Sequence, residues 1–482
     1  MLLALFLLLT DALPVQPQLE AALLDAIAGS CPRHKVALDR DLTRACQAYA
    51  SAAAAGRAPV SGTAVSFYAS LESAEPAPVA GVARVSPASH ADRAAGELFP
   101  RSCRFNRAGL AAALLPGGGA VVCALTADHQ TDLARIPGMV EEFDTVQVSG
   151  RLGKGLSRPR LFVTGPSGEV AELGMVASGG EFSTRVQLRE TGEHSLEVLA
   201  DGPGGPQVVA LRRVFAGVKP PASPPPEPPP DQGLSGVEAA IGRLRASRGL
   251  PALQRDGDLD AVALGHSKEM ARTRTFAHVL PTDGAMSDRL RAHGYAYRSA
   301  GENIGLAGDA GAAHEAIASS PAHLSNLLDP RHRRLGLGEV RGPTPDGGEA
   351  VYLTELFAAP AIKSADPARE AVLQIQAERK RRGLPALLRD GALDQIAQEE
   401  AANAARGGEA KLSGETAGLA LAKVPSLRSA LAELIVGGGP DVVTNSKNLA
   451  EPQWTRLGAG AVYAGSKAWG AGGLWVVLLY GR

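Results

Sequence analysis

Six of the ten histidines fall in the 67 residues from 266 to 332: His266, His278, His293, His314, His323 and His332. Imidazole titrates near neutrality, and in its neutral form it is the commonest protein ligand for zinc. A histidine cluster can therefore do acid–base work or hold a divalent metal. Two histidines alone would hold Zn or another divalent metal only weakly, because structural zinc sites use four protein ligands and catalytic ones three. The competing reading is a hydrogen-bonded His/Glu network that ties loops together without metal. Nucleophilic chemistry fits less well. Ser320 lies three residues before His323, but no Gly-x-Ser-x-Gly elbow surrounds it, and Pro321 disfavours helical backbone at Ser320. No phosphate-binding glycine string is present in the required context. Outside this chemistry, His266 is expected to pack on a helix, His293 to sit at a helix end, His314 to face solvent and His332 to lie in a basic surface turn.

These residues need elements to position them. Leu234, Val237, Ile241 and Leu244 recur at helical spacing, with Arg245 and Arg248 on the other face, and Gly249 and Pro251 end the helix. Leu259, Val262, Ala263 and Met270 mark a second helix capped by Asp256 or Asp258. Residues 334–340 and 351–357 read as strands joined by a Gly/Pro/Asp loop. Helices first and strands last make an α+β domain.

Five strings occur in order here: Arg248-Gly-Leu-Pro-Ala-Leu253, Phe276-Ala-His278-Val-Leu-Pro281, Gly301-Glu302-Asn303-Ile304, Ser320-Pro-Ala-His323-Leu-Ser-Asn326 and Tyr352-Leu-Thr-Glu-Leu-Phe357. Over about 235–358 the chain resembles the CAP superfamily (the SCP or cysteine-rich secretory protein family), in its cysteine-free bacterial form. The resemblance implies an α-β-α sandwich with a central cleft. It makes His278 and His323 the metal-capable pair and Glu302 a cleft carboxylate that orients a histidine or a bound water. With these, Asn303 and Ser320 are the candidate ligand-binding residues, and Glu302, His278 and His323 the candidates for catalysis. Larger members carry a second cleft glutamate after a Trp-x-x-Glu pattern, but Ile317 and Ser320 stand in those places here.

The module repeats. Arg248–Asp256 returns as Arg382-Gly-Leu-Pro-Ala-Leu-Leu-Arg-Asp390, an offset of 134, and Leu335-Gly-Leu-Gly338 returns as Leu457-Gly-Ala-Gly460, an offset of 122. The second copy is therefore about twelve residues shorter in its middle. By these offsets His323 corresponds to Asn445 and His278 to Leu412, and the Gly-Glu-Asn string is missing. The second copy is expected to keep the scaffold and lose the cleft. A fainter copy opens the chain, where Ala37-Leu-Asp-Arg-Asp41 echoes Ala252-Leu-Gln-Arg-Asp256.

Between these lie two other segments. Phe182, Thr184, Val186 and Leu188 alternate with polar residues, as do Leu196, Val198 and Ala200, so about 140–218 reads as a small immunoglobulin-like β-sandwich without chemistry of its own. Eight of the eleven residues from 220 to 230 are proline, a semi-rigid spacer.

Charge nearly cancels, 49 Lys and Arg against 50 Asp and Glu, and aromatics are 4% of the 482 residues. That excludes a basic nucleic-acid footprint and an aromatic single-strand platform. No apolar run is long enough to cross a bilayer, and 1–13 resembles the apolar core of a signal peptide. Cys31, Cys46, Cys103 and Cys123 all lie in the first module and read as two disulfides of an exported protein. The expected architecture is α+β and multi-domain: a degenerate CAP-like module (14–138), a β-sandwich (139–218), a linker (219–231), a CAP domain (232–360) and a degenerate repeat (361–482). The expected role is extracytoplasmic binding of a small ligand, peptide or glycan in the 232–360 cleft, with metal-assisted hydrolysis or an adhesive scaffold as alternatives. The two C-terminal repeats are expected to pair within the chain.

Overall fold

The computed structural model describes residues 15–31, 35–98, 103–226, 232–345, 347–361, 364–408, 410–465 and 473–482. Residues 1–13, where the sequence suggests a signal peptide, and linker residues 227–231 lie outside the described residues.

The first module contains α1 (Gln16–Ser30), β1 (Ala37–Leu38), α2 (Arg40–Ala54), α3 (Gly62–Glu72), β2 (Val79–Val85), α4 (Ala91–Glu97), β3 (Arg107–Leu114) and β4 (Ala120–Ala127). Alternate residues of β4 face opposite ways, as the pleat requires. Val121, Cys123 and Leu125 pack under α2 and α3, while Val122 and Ala124 pack under α1 and α4. Disulfides Cys31–Cys103 and Cys46–Cys123 cross-link the module.

A two-sheet sandwich follows: β5 (Thr131–Leu133), β6 (Met139–Val140), β7 (Thr145–Leu152), β8 (Ser157–Thr164), β9 (Val170–Leu173), β10 (Val176–Ser178), β11 (Glu181–Gln187), β12 (Gly192–Gly202) and β13 (Gly205–Ala216). The sheets run β10-β11-β7-β5 and β6-β13-β12-β8-β9 and close on one core that includes Val148, Phe182, Leu196 and Val198. Because β5 pairs with β7, the sandwich takes in residues ahead of 139.

The third module contains α5 (Gly233–Ser247), β14 (Gln254–Arg255), α6 (Gly257–Thr273), α7 (Met286–Ala292), β15 (Tyr297–Ala307), α8 (Ala310–Ala318), α9 (Pro321–Leu328), β16 (Arg334–Pro343) and β17 (Glu349–Pro360). The fourth contains α10 (Pro367–Arg381), β18 (Leu388–Arg389), α11 (Gly391–Gly407), α12 (Thr416–Lys423), β19 (Ala430–Gly437), β20 (Arg456–Tyr463) and β21 (Leu474–Gly481).

Three sheets share one topology: β1-β3-β4-β2, β14-β16-β17-β15 and β18-β20-β21-β19. In each, the two-residue strand pairs parallel to its neighbour and the other pairs are antiparallel. In each, an aspartate caps the helix that follows the short strand: Asp39, Asp256 and Asp390 accept from the backbone two and three residues on. In each, that helix lies against a strand glycine. A Cβ at Gly109, Gly336 or Gly458 would meet Thr43, Leu259 or Leu393 at 2.3–2.4 Å, so only glycine permits the approach.

The two C-terminal modules also share a buried arginine. Arg245 gives its guanidinium to the carbonyls of Pro251, Leu327 and Asp329 at 2.9, 2.7 and 3.1 Å. Arg379 meets Pro385, Leu449 and Glu451 at the same three distances. The helical pattern placed Arg245 on the polar face, yet it is fully buried, because it closes the backbone groups of three loop ends.

Candidate functional site

The site forms where β15, the edge strand of its sheet, meets the segment after α6 and the start of α9. Helix α6 ends at Arg274 in the left-handed region (φ 50°), which turns the chain back toward the sheet. His266, buried on α6, holds the returning segment with Nε2 at 3.1 Å from the Ala277 carbonyl and Nδ1 at 2.8 Å from Asp283. His278 follows. Its Nδ1 lies 3.0 Å from Glu302 Oε1. Arg289, on α7, donates to Glu302 Oε2 at 2.5 Å and to the carbonyls of Gly284 and His278 at 2.8 and 3.2 Å. The Glu302 side chain is 4% exposed and that of His278 19%. Burial alone would raise the Glu302 carboxyl, but the His278 hydrogen bond and the Arg289 cation outweigh it and hold the group at about 2.

Asn303, the next residue of β15, faces the other side of the sheet. Its amide donates to the His323 carbonyl and to Glu355, each at 3.2 Å, while Asn326 donates to its side-chain oxygen at 2.9 Å. At Gly301 a Cβ would lie 2.8 Å from the Asn326 side chain, so glycine lets α9 close onto β15. Pro321 opens α9 and holds Ser320 in extended backbone (φ -95°, ψ 120°). Ser320 Oγ lies 2.6 Å from His323 Nδ1. The two imidazoles stack with centroids 6.4 Å apart and planes at 22°. Of the five sequence-predicted residues, His278, Glu302, Ser320 and His323 thus come together, whereas Asn303 is fully buried on the other face of β15 and ties α9 to the strand instead of meeting a ligand. Phe276, two residues before His278 in the chain, is partly exposed.

Several groups escaped the sequence. Glu197 comes from β12 of the sandwich. It accepts from Ser320 Oγ at 2.5 Å and from the Ala322 N–H at 2.9 Å, and it is fully buried. The alternation of Leu196, Val198 and Ala200 puts Glu197 on the outer face of its sheet, and nothing in the sequence marks that face as covered. Burial pushes its carboxyl up to about 7 against the pull of the Ser320 and Ala322 donors. The sandwich therefore supplies chemistry to the site. His314 does not face solvent: it is buried on α8 with Nδ1 2.7 Å from Glu355. His332 is likewise inside, stacked on Phe357, with Nδ1 3.1 Å from the Asn326 carbonyl. His293 caps the end of α7 and is exposed, as expected.

In the fourth module the pairing register adds a carboxylate that the strings did not show. Glu302 faces Leu356 across the β15–β17 pair, and Glu433 faces Leu478, the repeat of Leu356, across β19–β21. Ser446 and Asn448 donate to Glu433 at 2.6 and 2.8 Å. No histidine accompanies it, and Glu355 is replaced by the buried Val477.

Burial also pushes His323 down to about 3, with the neighbouring His278 adding to the shift, so His323 is neutral at working pH. These groups set a pH profile. Glu302 contributes stability that is complete above the ordinary value of 4.5 and lost as pH falls toward 2. The His323 contribution is complete above 6.5 and lost toward 3, whereas that of Glu197 is complete below 4.5 and lost as pH rises through 7. Between 4.5 and 6.5 the last two oppose each other. Urea midpoints for this part of the chain are expected to be level in that window and to drop steeply on the acid side. A midpoint still rising as pH falls below 4.5 would contradict these assignments.

The chain is similar to known proteins over part of its length. Uncharacterized protein YkwD from Bacillus subtilis (strain 168) is 33% identical over 97 residues, 20% of this chain and 38% of that protein, so the chain spans under half of that relative. Among solved structures, an extracellular protein containing a SCP domain from Bacillus anthracis is 17% identical, with TM-score 0.23, covering 48% of this chain and 89% of the other. An outer surface protein from Borrelia burgdorferi is 20% identical, with TM-score 0.24, covering 26% and 92%. Residues 239–357 match the family model of CAP, the cysteine-rich secretory protein family, and the module that gathers His278, Glu302 and His323 is a CAP domain.

Proposed function

We propose that the CAP domain is a non-catalytic binding module that holds a polar group of a small ligand, peptide or glycan against His278 and His323. The supporting observation is how the two imidazoles are held. Each spends Nδ1 on a protein partner, Glu302 or Ser320, which leaves Nε2 for an incoming group. A separate open groove of about 640 Å³ lies between the sandwich and the CAP domain, lined by Ser167, Arg248, Ser325 and Asn326 and not by the two imidazoles.

Metal-assisted hydrolysis fits less well. Both oxygens of Glu302 are engaged and its carboxyl is held at about 2, so it is a poor general base near neutrality. Ser320 meets a carboxylate directly, rather than through the far nitrogen of its histidine, so a nucleophile–base–acid series is not formed. The two Nε2 atoms are a donor set for Zn or another divalent metal, and among the described residues no group of three or more His, Cys, Asp or Glu could hold one. Two donors fit a weak, exchangeable ion that would polarise a ligand oxygen when bound.

On this reading the first and fourth modules are degenerate copies of the CAP domain, supported by their common sheet order and helix caps. The two-sheet module is immunoglobulin-like. Pairing of the C-terminal copies is supported by the Arg298–Asp441 ion pair at 3.0 Å. An extracytoplasmic location is supported by the two disulfides. Calorimetric titration of the intact chain with Zn²⁺ tests the site. One weak site is expected in the wild type and none in His278→Ala/His323→Ala. Equal uptake by both would refute the metal-capable pair.

A further inference from the structure

The two cleft imidazoles are served by two carboxylates, and only one belongs to the CAP domain. Glu302 reaches His278 Nδ1 directly. For His323 the series is Glu197, Ser320 and Nδ1, at 2.5 and 2.6 Å. Glu197 stands on β12, whose inward residues Leu196, Val198 and Ala200 fill the sandwich core. Its own side chain points outward, to a face that α9 covers. The same hairpin grips the other imidazole's segment: the Gly204 carbonyl accepts from Val279 N–H at 3.0 Å, and Gly205 lies against the His278 side chain. A buried carboxylate without a cation is costly to dock, and it persists where its hydrogen bonds are satisfied.

We propose that Glu197 is a positioning residue of the CAP site, supplied by the β-sandwich, which sets through Ser320 the tautomer of His323. This rests on the binding reading above. The logic is one of donors and acceptors. A carboxylate only accepts. It takes the Ala322 N–H on one oxygen and the Ser320 O–H on the other. With its proton so committed, Ser320 Oγ can only accept from His323, which places the imidazole proton on Nδ1 and leaves Nε2 as a bare lone pair. The side chain of Gln at position 197 would accept from Ala322 and donate to Ser320. The serine would then donate to His323 Nδ1, and the proton would move to Nε2. The CAP domain alone therefore lacks a part of its site, and a ligand that needs a lone pair on His323 binds only when the sandwich is docked.

The test is ¹⁵N NMR of histidine-labelled intact chain, well above neutrality, comparing wild type, Glu197→Gln and Ser320→Ala. The wild type is expected to show His323 as the Nδ1–H tautomer and Glu197→Gln as the Nε2–H tautomer, with Zn²⁺ affinity lower by about 10–100-fold, the usual effect of removing an orienting partner. Ser320→Ala, which leaves Glu197 and the Ala322 bond in place, is expected to release the preference as well. An unchanged His323 tautomer in both variants would overturn the proposal, including where the affinity falls. If the wild type itself takes up no Zn²⁺, the metal-capable pair fails, and the tautomer comparison still decides the role of Glu197.

Discussion

Arg289→Ala is expected to destabilise the CAP domain by roughly 3–5 kcal/mol, the penalty for leaving one partner of a buried ion pair uncompensated. Arg289 and Glu302 are 6% and 4% exposed and meet at 2.5 Å, so Glu302 would keep its burial and lose its cation. The carboxyl would take up a proton instead, its titration rising from about 2 toward or beyond the ordinary glutamate range. His278 would then lose the acceptor at Nδ1 that fixes its ring. The Gly284 and His278 carbonyls would also lose their donor, which loosens the segment that carries His278. Hydrogen exchange is the suitable probe, because a chain of several modules does not unfold in one step. Protection should fall across α7 and β15 and stay unchanged in the sandwich core. The pair Arg289→Met/Glu302→Gln should recover part of the loss by removing both charges, but not the carbonyl bonds. A cost below about 1 kcal/mol for Arg289→Ala would mean that water already reaches Glu302.

Arg245→Ala and Arg379→Ala are expected to cost several kcal/mol each, roughly 3–5, and each only in its own module. Both side chains are fully buried and both bond three loop carbonyls. Truncation leaves those carbonyls without their donor, at about 1–3 kcal/mol apiece. Arg245 has a further weak contact, to the His332 carbonyl at 3.4 Å, whereas Arg379 Nη2 has no partner. The Arg245 variant should therefore be the more damaged. Differential scanning calorimetry with exchange readout by module checks both. If either change melted both C-terminal modules together, the two would be one cooperative unit rather than two copies with separate cores.

What the sequence showed of the site followed from local strings. The residues 276–281, 301–304 and 320–326 placed His278, Glu302, Asn303, Ser320 and His323, and each string also contains the small or rigid residue that shapes its backbone, such as Gly301 and Pro321. The cap of α6, read as Asp256 or Asp258, was legible for the same reason, since a cap acts on residues two and three positions away, and Asp256 takes the role. The groups that were missed act over long separations. Glu197 lies 123 residues from Ser320 and Arg289 lies 13 from Glu302 on another element. Neither has a neighbour in sequence that signals its partner. Charge and polarity ordinarily mean exposure, and on that ground the sequence puts Arg245 and His314 on polar faces. Both are inside, because carbonyls or Glu355 satisfy them. Glu433 was hidden because the shortened second copy keeps the strand register while losing the letters around it.

The most direct test is a Zn²⁺ titration of ¹⁵N-histidine-labelled intact chain, read residue by residue. His278 and His323 should respond together, at Nε2 in both rings and with one shared midpoint, while His266, His314 and His332 stay still because they are buried in the core of the module. Separate midpoints, or movement of only one of the two rings, would show that they do not face a common hollow, and the binding site described above would not exist.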